Sequence, residues 1–292
     1  MPRTQARNCR QVTAGFLLRR NDIKQYLSKS PNPLYSPVKH LISFVIRHVP
    51  RKYLQLVSHF AMKIVAVFYR GNTVACPVCG SRFRKFLPYG RTNPRENALC
   101  PNCLALERHR LMWLYLQRKT DFFTAPHRLL HVAPEHCFID RFERMENLDY
   151  VTADIESPLA KVKMDIHHIP FGENTFDVAF CNHVMEHVDD DIRAMAELYR
   201  VLKPGGWAII QSPMDTTRAT TLQDPAITSP ADREKYYWQS DHQRLYGRDY
   251  AQRLEKAGFS VAADRFVMEL SAAEVQQYAL PREEIVYLCR KP

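Results

Sequence analysis

The sequence predicts an α/β protein whose larger part is a doubly wound, mostly parallel sheet. From Arg128 onward, short apolar runs typical of buried strands alternate with segments of helical periodicity, which is the pattern of a parallel sheet covered by helices on both faces. Two closely spaced cysteine pairs precede this region and indicate a small, separate metal-binding module. A basic segment with helical periodicity precedes the cysteines.

The larger part, residues 125–292, contains a regular succession of predicted strands and helices. Ligands of such sheets bind at the carboxyl ends of the strands, near the point where the strand order reverses. The connection from Ser212 to Arg248 is long, so we expect it to form a lid or a substrate wall. The helix at residues 190–202 is expected to end at Lys203-Pro204-Gly205-Gly206. The predicted strands are residues 128–133, 150–155, 175–181, 207–211, 260–263 and 284–289, and a further helix is predicted at residues 250–257.

Positive charge is concentrated in the first 118 residues. The whole chain of 292 residues has a formal net charge of +10, whereas residues 1–118 contain 21 lysines and arginines against three acids. Such a positive region favours a nucleic acid or an anionic surface as a partner, although a solvated basic arm without a ligand has the same composition.

Two segments are predicted before the cysteines. Residues 1–35 are polar and basic, end in a cluster of prolines and polar residues, and predict a flexible arm. Residues 36–70 predict an amphipathic helical segment, which either packs on the rest of the protein or lies in a membrane interface. No run of 18 apolar residues offers a transmembrane span.

Cysteine use and the N-terminal sequence favour a reducing compartment. A chain of this length does not need covalent staples, so its eight cysteines do not indicate a disulfide scaffold. The apolar run Phe16-Leu17-Leu18 is too short for a secretory signal peptide, although an arginine-rich, acid-poor start also resembles an organellar transit peptide. We expect a cytoplasmic protein, peripheral to a membrane if the amphipathic segment lies on one.

Residues 71–120 predict a zinc module with four cysteine ligands. Cys76 and Cys79 form one CxxC pair, Cys100 and Cys103 form another, and 20 residues separate the pairs. Four thiolates complete a tetrahedron around Zn²⁺, whereas a redox site would need one pair in a βαβ context. Because four protein ligands leave no open position, the predicted zinc is structural.

A helix is predicted directly after the second cysteine pair, from Leu104 to Gln117. Its first turns contain Arg108 and Arg110. We predict that these two arginines either bind phosphate or form ion pairs with acidic residues of the following domain.

Three stretches of the larger part together resemble a known family. They are Asp165 to Val178, which contains Pro170-Phe171 and Phe176-Asp177, then Val184-Met185-Glu186-His187-Val188, and then Arg200-Val201-Leu202-Lys203-Pro204-Gly205-Gly206. This succession resembles the class I S-adenosylmethionine-dependent methyltransferases, especially the group called methyltransferase type 11. The resemblance covers about residues 128–292 and implies a Rossmann-like domain that transfers a methyl group from S-adenosylmethionine.

The resemblance implies cofactor-binding residues at the ends of successive strands. After the first strand, family members have an acidic residue and a glycine-rich turn, whereas this chain has His131-Val132-Ala133-Pro134-Glu135. Alanine still allows a close backbone approach, proline removes an amide donor, and Glu135 is expected near the ammonium group of the cofactor. The implied cofactor-binding residues are His131, Ala133, Glu135, Asp154, Asp165 and Asn182.

Asp154 is the strongest member of this set because it ends the second predicted strand. The resemblance implies a carboxylate here that accepts hydrogen bonds from two ribose hydroxyls, and a carboxylate offers two acceptors in fixed geometry. A strand-end acid that caps the next turn is the alternative. Asp165 matches the acid that reaches the adenine amino group, and its alternative is a turn residue before His167.

The candidate catalytic residues are His183, Asp241 and His242. Asn182 and His183 follow a strand where family members place residues that face the transferred methyl group, and a histidine is suited to act as a general base near neutral pH. Asp241 and His242 lie in the long connection beside Arg244 and Tyr246, which together offer a base, a cation and a stacking surface. A strand-end histidine and decoration of the surface are the alternatives.

Two functions are compatible with these observations. The first is methyl transfer from S-adenosylmethionine to an unidentified small molecule, glycan or RNA. The second is a non-catalytic protein in which the zinc module and the basic arm engage RNA or an anionic surface. The missing glycines favour the second function, whereas Asp154 and the motifs after it favour the first, which we expect.

Overall fold

The computed structural model describes residues 62–90 and 94–292, which fall into two compact units. The cysteine unit contains the described residues up to 120 together with residues 267–284, and the sheet unit contains residues 121–266 and 285–292. The predicted arm, residues 1–35, and most of the predicted amphipathic segment, residues 36–70, lie outside the described residues, although residues 62–68 are helical. Within the described ranges, no helix is both long and apolar enough to cross a membrane.

Short strands and helices alternate along both units. The strands are β1 (Arg70–Ala75), β2 (Arg82–Phe83), β3 (Leu87–Tyr89), β4 (Arg95–Leu99), β5 (His127–Val132), β6 (Leu148–Asp154), β7 (Val162–Lys163), β8 (Phe176–Asn182), β9 (Leu202–Gln211), β10 (Ser260–Asp264) and β11 (Val286–Arg290). The helices are α1 (Glu107–Lys119), α2 (His136–Phe142), α3 (Asp191–Val201), α4 (Pro230–Tyr237), α5 (Tyr250–Lys256) and α6 (Ala272–Gln277).

Two antiparallel strand pairs and α1 form much of the cysteine unit. β1 pairs with β2, and β3 pairs with β4. α1 begins three residues later than the sequence predicts. Leu104 cannot belong to the helix because its φ of +64° places it in the left-handed region, within the turn that follows Cys100.

Arg110 of α1 is fully buried and binds backbone carbonyl groups of the same unit. Its guanidinium donates hydrogen bonds to the carbonyl oxygens of Ala98 (2.8 Å), Ala105 (3.0 Å), Tyr278 (2.6 Å) and Ala279 (2.7 Å). A buried cation requires such partners, because its donors have lost water. The prediction that Arg110 binds phosphate or pairs with acids of the following domain is therefore wrong.

A seven-stranded sheet in the order β7-β6-β5-β8-β9-β11-β10 forms the centre of the sheet unit. Neighbouring strands are parallel from β7 through β9, whereas β11 is antiparallel to both β9 and β10. The predicted Rossmann-like, doubly wound sheet is thus confirmed. The strand order reverses between β5 and β8, so their carboxyl ends flank the crevice where such sheets bind ligands.

The glycine pair after α3 lies inside a strand. α3 ends at Val201 as expected, but β9 begins at Leu202, five residues before the predicted strand. Its register against β8 shifts between the Phe176–Leu202 and Val178–Trp207 pairs, which accommodates the extra residues as a bulge. Gly206 is required in this bulge, because a Cβ atom there would lie 2.8 Å from one backbone oxygen and 2.9 Å from another.

The sequence also missed several short elements. The long connection of residues 212–248 contains α4, which begins after Ser229 and is capped by that side chain. α2 follows the turn after β5 and supplies Phe142, whose ring packs against that of Phe180 on β8 at a centroid distance of 6.0 Å. The contact between Phe142 and Phe180 packs α2, and the turn that precedes it, against the sheet.

Candidate active site

The turn after β5 is tight although it contains no glycine. Ala133 has a φ of +50° and is buried, and its N–H donates to the carbonyl of Ala153 on β6 at 2.8 Å. This left-handed conformation costs an L-residue roughly 1–2 kcal/mol. The backbone therefore makes a turn that ordinarily favours glycine, and it does so with the smallest side chain after glycine.

Glu135 ends this turn and belongs to a buried chain of polar side chains. Its Oε2 lies 2.5 Å from Nε2 of His131, and its Oε1 accepts a hydrogen bond from Asn182 at 2.9 Å. Nδ1 of His131 lies 2.9 Å from the Tyr150 hydroxyl, whose pKa burial raises well above its usual value. A neutral His131 that accepts from this hydroxyl bears its hydrogen on Nε2 and donates it to Glu135. The carboxylate is thus fixed at the carboxyl ends of β5 and β8, where a cationic group such as an ammonium ion would be attracted to it.

Asp154 ends β6 and is 5% exposed. Its Oδ1 accepts hydrogen bonds from the backbone N–H groups of Glu156 (2.7 Å) and Ser157 (2.6 Å). This is the turn-capping role that the sequence left open as the alternative. Both of these bonds use the same oxygen, and the ribose contact remains a prediction for this carboxylate.

Asp165 lies after β7 and is half-exposed. Its Oδ1 accepts from the backbone N–H of His167 at 2.9 Å and lies 2.8 Å from Nδ1 of the same histidine. Burial opposes ionisation of Asp165, but the hydrogen bonds from His167 outweigh it and lower the pKa of the carboxyl group. The turn role weighed for Asp165 is present, and the adenine contact remains a prediction.

The three candidate catalytic residues converge with two further side chains into a group that we call the histidine cluster. At its centre, Glu186 is 2% exposed. Oε1 of Glu186 lies 3.4 Å from Nδ1 of His183 and 3.9 Å from Nε2 of His187, while Oε2 accepts from the Ser212 hydroxyl at 3.0 Å. The members of the histidine cluster are His183, Glu186, His187, Asp241 and His242.

The long connection contributes Asp241 and His242 to the histidine cluster. Oδ2 of Asp241 lies 2.9 Å from Nδ1 of His187, and the ring of His242 meets that of His187 edge-on with centroids 4.8 Å apart. His242 is 1% exposed, and its Nδ1 lies 2.7 Å from the carbonyl oxygen of Tyr237. Decoration of the surface is therefore the wrong interpretation for His242.

Burial and neighbouring charges determine the protonation of the histidine cluster. Burial opposes ionisation of Glu186, but the hydrogen bond from His183 and the nearby imidazoles outweigh it and lower the pKa of Glu186 to about 2. Burial lowers the pKa of His242 more than the neighbouring carboxylates raise it. At neutral pH the histidine cluster therefore contains an ionised Glu186 and a neutral His242.

Arg244 and Tyr246 anchor the connection, whereas the sequence suggested a cation and a stacking surface for a ligand. The guanidinium of Arg244 is fully buried and donates to the carbonyls of Met185 (2.6 Å) and Val188 (2.7 Å). The Tyr246 hydroxyl donates to Asp191 at 2.8 Å. These bonds tie the connection to the loop that contains Glu186 and His187 and to the start of α3.

Sequence reasoning missed Glu186 and His187 as site residues. Both lie in the run Val184-Met185-Glu186-His187-Val188, which contributed to the family resemblance. An acid and a histidine placed directly after a strand end were the available signal, because this edge of the sheet is where ligands bind.

The four predicted zinc ligands converge in the cysteine unit. The Sγ atoms of Cys76 and Cys103 are 3.6 Å apart, those of Cys79 and Cys100 are 3.7 Å apart, and all four are free thiols. Four sulfurs bound to Zn²⁺ at about 2.3 Å in a tetrahedron lie about 3.8 Å from one another. The donor set and its spacing therefore fit Zn²⁺, which remains a prediction.

Both cysteine pairs lie in turns of the same shape. The N–H of Gly80 donates to the carbonyl of Cys76 at 2.8 Å, and the N–H of Leu104 donates to that of Cys100 at 2.9 Å. Gly80 and Leu104 both have positive φ values, +71° and +64°. Each turn thus brings the two thiols of its pair to the same side.

Comparison with known proteins identifies the domain that contains β5 to β9. Residues 127–210 match the family model described as "Methyltransferase domain". Residues 127–210 of this chain are therefore a methyltransferase domain. The family resemblance inferred from the motifs is therefore confirmed, and S-adenosylmethionine is the cofactor of this family.

Curated relatives match part of this chain. The ubiquinone/menaquinone biosynthesis C-methyltransferase UbiE of Desulfotalea psychrophila is 42% identical over 53 residues, which are 18% of this chain and 20% of that protein. UbiE of Brucella canis is 31% identical over 131 residues, or 39% of this chain and 44% of that protein. The chain thus spans less than half the length of these relatives.

Solved structures of a methyltransferase and of a cyclase are similar at low identity. An S-adenosylmethionine-dependent methyltransferase from Mesorhizobium loti is 14% identical with a TM-score of 0.43, covering 61% of this chain and 97% of that chain. The [4+2]-cyclase SpnF is 16% identical with a TM-score of 0.45, covering 81% of this chain and 96% of that chain.

Proposed function

We propose that this protein transfers a methyl group from S-adenosylmethionine to an acceptor that binds beside the histidine cluster. The observation that supports this proposal is the arrangement at the end of β8. Asn182 donates to Glu135 of the turn after β5, whereas the next residue, His183, lies against Glu186 of the histidine cluster. One peptide link therefore joins the predicted cofactor residues to the predicted acceptor residues.

The cofactor side comprises the turn after β5 and the ends of β6 and β8. Glu135, held by His131 and Asn182, would attract the ammonium group, and the left-handed turn at Ala133 would let the backbone approach the cofactor. Asp154 would accept from the ribose hydroxyls and Asp165 from the adenine amino group. When bound, S-adenosylmethionine supplies a methyl group on a sulfonium, and the protein supplies its orientation toward the acceptor.

On the acceptor side, His183 is the proposed general base. Its Nδ1 lies against the buried Glu186 carboxylate, and among the described residues its Nε2 has no hydrogen-bond partner. A carboxylate beside one ring nitrogen stabilises the imidazolium that forms when the other nitrogen takes a proton. The His183 side chain is 22% exposed but its Nε2 atom is buried, so a rotation of the ring would bring this nitrogen to the acceptor.

A base at this position suits an acceptor that must lose a proton. A hydroxyl group loses a proton on methylation, and so does a carbon acceptor of the kind named for the UbiE relatives. We propose an acceptor with an acidic O–H or C–H group, carried by a small molecule, a glycan or RNA. The zinc that we propose for the four cysteines is structural and takes no part in this chemistry.

Calorimetric titration of the full-length protein with S-adenosylmethionine and with its demethylated product tests the cofactor. We expect both to bind with one site per chain. Folded protein that gives no heat with either ligand, and shows no binding by equilibrium dialysis, would contradict the proposed function.

Incubation with methyl-labelled S-adenosylmethionine then tests the acceptor. The small-molecule, glycan and RNA fractions of a cell extract are supplied separately, and label is expected in one of them. His183→Gln should reduce the rate of labelling by about 10²–10⁴-fold while the dissociation constant of the cofactor stays near wild type. His168→Gln replaces an exposed histidine that contacts Arg193 and provides the matched control.

A further inference from the structure

We propose that Glu186, His187 and His242 bind a divalent transition-metal ion in the sheet unit. Each of these side chains offers one ligand atom, and the three atoms lie within 4.8 Å of one another. Two imidazoles and one carboxylate are a ligand set that proteins use for Zn²⁺ and for Fe²⁺. The site is separate from the four cysteines, which belong to the cysteine unit.

His187 is oriented as metal-binding histidines usually are. Its Nδ1 lies 2.9 Å from the Asp241 carboxylate, which leaves Nε2 on the side of Glu186, 3.9 Å from Oε1. A histidine that binds a metal through one nitrogen commonly directs the other to a carboxylate, which fixes the ring and makes the ligating nitrogen more basic. Asp241 therefore lies in ion-pair contact behind His187, on the side where metal-binding histidines usually face a carboxylate.

His242 shows the same arrangement with a backbone carbonyl. Its Nδ1 lies 2.7 Å from the carbonyl oxygen of Tyr237, so Nδ1 bears the hydrogen and Nε2 presents a lone pair. Nε2 is buried and has no hydrogen-bond partner among the described residues. A purely structural network would leave this acceptor unsatisfied inside the protein, whereas a metal ion would use it.

Glu186 completes the set as the only anionic ligand of the three. One of its oxygens accepts from the Ser212 hydroxyl at 3.0 Å, which fixes the orientation of the carboxylate. Each proposed ligand is thus oriented by a second group: Ser212 for Glu186, Asp241 for His187 and the Tyr237 carbonyl for His242. Such supporting contacts separate a built metal site from a chance cluster of titratable groups.

The spacing allows one ion with an open coordination position. Ligand atoms bound to Zn²⁺ at about 2.0–2.2 Å in a tetrahedron are about 3.4 Å apart, so binding would shorten the distances between the three ligand atoms by up to about 1.4 Å. Three protein ligands leave a position for water or for an oxygen atom of the acceptor. Acceptor binding to the metal rests on the proposed function, but metal binding itself does not.

Titration of the full-length protein, as purified, with Co²⁺ tests the site. Co²⁺ accepts the ligands of Zn²⁺ and is visible by absorption, since thiolate ligands give charge-transfer bands that imidazole and carboxylate ligands lack. We expect one equivalent that gives visible bands without the thiolate bands. Glu186→Gln and His242→Gln should each weaken its binding more than tenfold, and Asp241→Asn should weaken it about tenfold.

His168→Gln is the matched control because His168 is an exposed histidine outside the histidine cluster. It should retain wild-type Co²⁺ affinity. Circular dichroism and thermal unfolding verify the fold of each variant, and His187→Gln replaces any variant that does not fold. A wild-type protein that binds no Co²⁺ beyond a thiolate site, or ligand variants with unchanged affinity, would overturn the proposal. Neither result affects S-adenosylmethionine binding, which is measured without added metal.

Discussion

Ala133 donates its N–H to the carbonyl of Ala153 at 2.8 Å while holding a φ of +50°. The hydrogen bond joins the turn after β5 to the end of β6, so the positions of Glu135 and Asp154 are linked through the backbone. An alanine here makes the turn that glycine makes more readily. The domain therefore bears a local strain at the proposed cofactor site.

Replacing Ala133 tests whether cofactor binding depends on the left-handed turn at this residue. Ala133→Gly relieves roughly 1–2 kcal/mol of strain, offset by the 0.4–1 kcal/mol or so that glycine adds to the entropy of the unfolded chain. We expect unchanged or slightly raised stability in denaturant unfolding and unchanged S-adenosylmethionine affinity. Ala133→Val, with a β-branched side chain at positive φ, should lower both. Equal cofactor affinity in the two variants would show that the turn does not contact the cofactor.

Two substitutions separate the turn-capping role of Asp154 from its proposed contact with the ribose. Asp154→Asn retains an oxygen that can accept from the N–H groups of Glu156 and Ser157, but it removes the charge and one acceptor. We expect Asp154→Asn to weaken S-adenosylmethionine binding about tenfold, a change of about 1.4 kcal/mol, with little change in stability.

Asp154→Ala should weaken cofactor binding as much or more and should also destabilise the fold by about 1–3 kcal/mol, because two partly buried N–H groups lose a charged acceptor. Calorimetry measures the first effect and denaturant unfolding the second. If Asp154→Asn binds S-adenosylmethionine as tightly as the wild type, the Asp154 carboxylate only caps the turn and does not contact the cofactor.

Much of the sheet could be predicted because its strands are locally encoded. The predicted counterparts of β5, β6, β8, β10 and β11 lie within two residues of the observed strands. The parallel strands β5, β6 and β8 are mostly buried, and such strands are continuous apolar runs. The start of β9 could not be predicted, because the bulge at Gly206 depends on backbone atoms of a neighbouring strand.

The site was only partly predictable for a similar reason. Asp154 ends a strand and His183 follows one, and these positions together with the family resemblance made them candidates. The contact of His187 with Asp241 and His242 joins residues that are more than 50 positions apart, and no local pattern reports it. For Arg110 the local sequence gave the wrong prediction. An arginine on a helix is usually a surface cation, whereas the backbone carbonyls that bury Arg110 are not evident from the sequence.

The cysteine unit should contain one structural zinc. Cys103→Ser removes one of four thiolates that would share a tetrahedral ion, so we expect loss of zinc and increased sensitivity to protease, since metal binding contributes folding free energy. Cys137→Ser, a buried cysteine of the sheet unit, should retain wild-type zinc content. Absence of zinc from natively folded wild-type protein, measured by metal analysis, would contradict this prediction.

Acid stability offers a test of the anchor between α3 and α5. Arg253 donates to both oxygens of Asp191, at 2.6 and 2.8 Å, and the Tyr246 hydroxyl donates to the same carboxylate. Burial of Asp191 opposes ionisation, but the hydrogen bond from Arg253 and the charges of Arg244 and Arg253 outweigh it and lower the pKa of Asp191.

A carboxyl group with a lowered pKa in the folded state stabilises the protein above its unfolded pKa of about 3.9. This contribution is lost as the pH falls through the lower, folded-state value. Asp191→Asn should therefore lower the unfolding free energy at neutral pH. Below about pH 4 the unfolding free energy of this variant should fall less steeply with decreasing pH than that of the wild type. Asp140→Asn, which replaces an exposed acid of α2, should leave both the neutral value and the acid limb near wild type. The measurement is denaturant unfolding across this pH range, and parallel acid limbs in the wild type and Asp191→Asn would show that Asp191 titrates alike in the folded and unfolded chains.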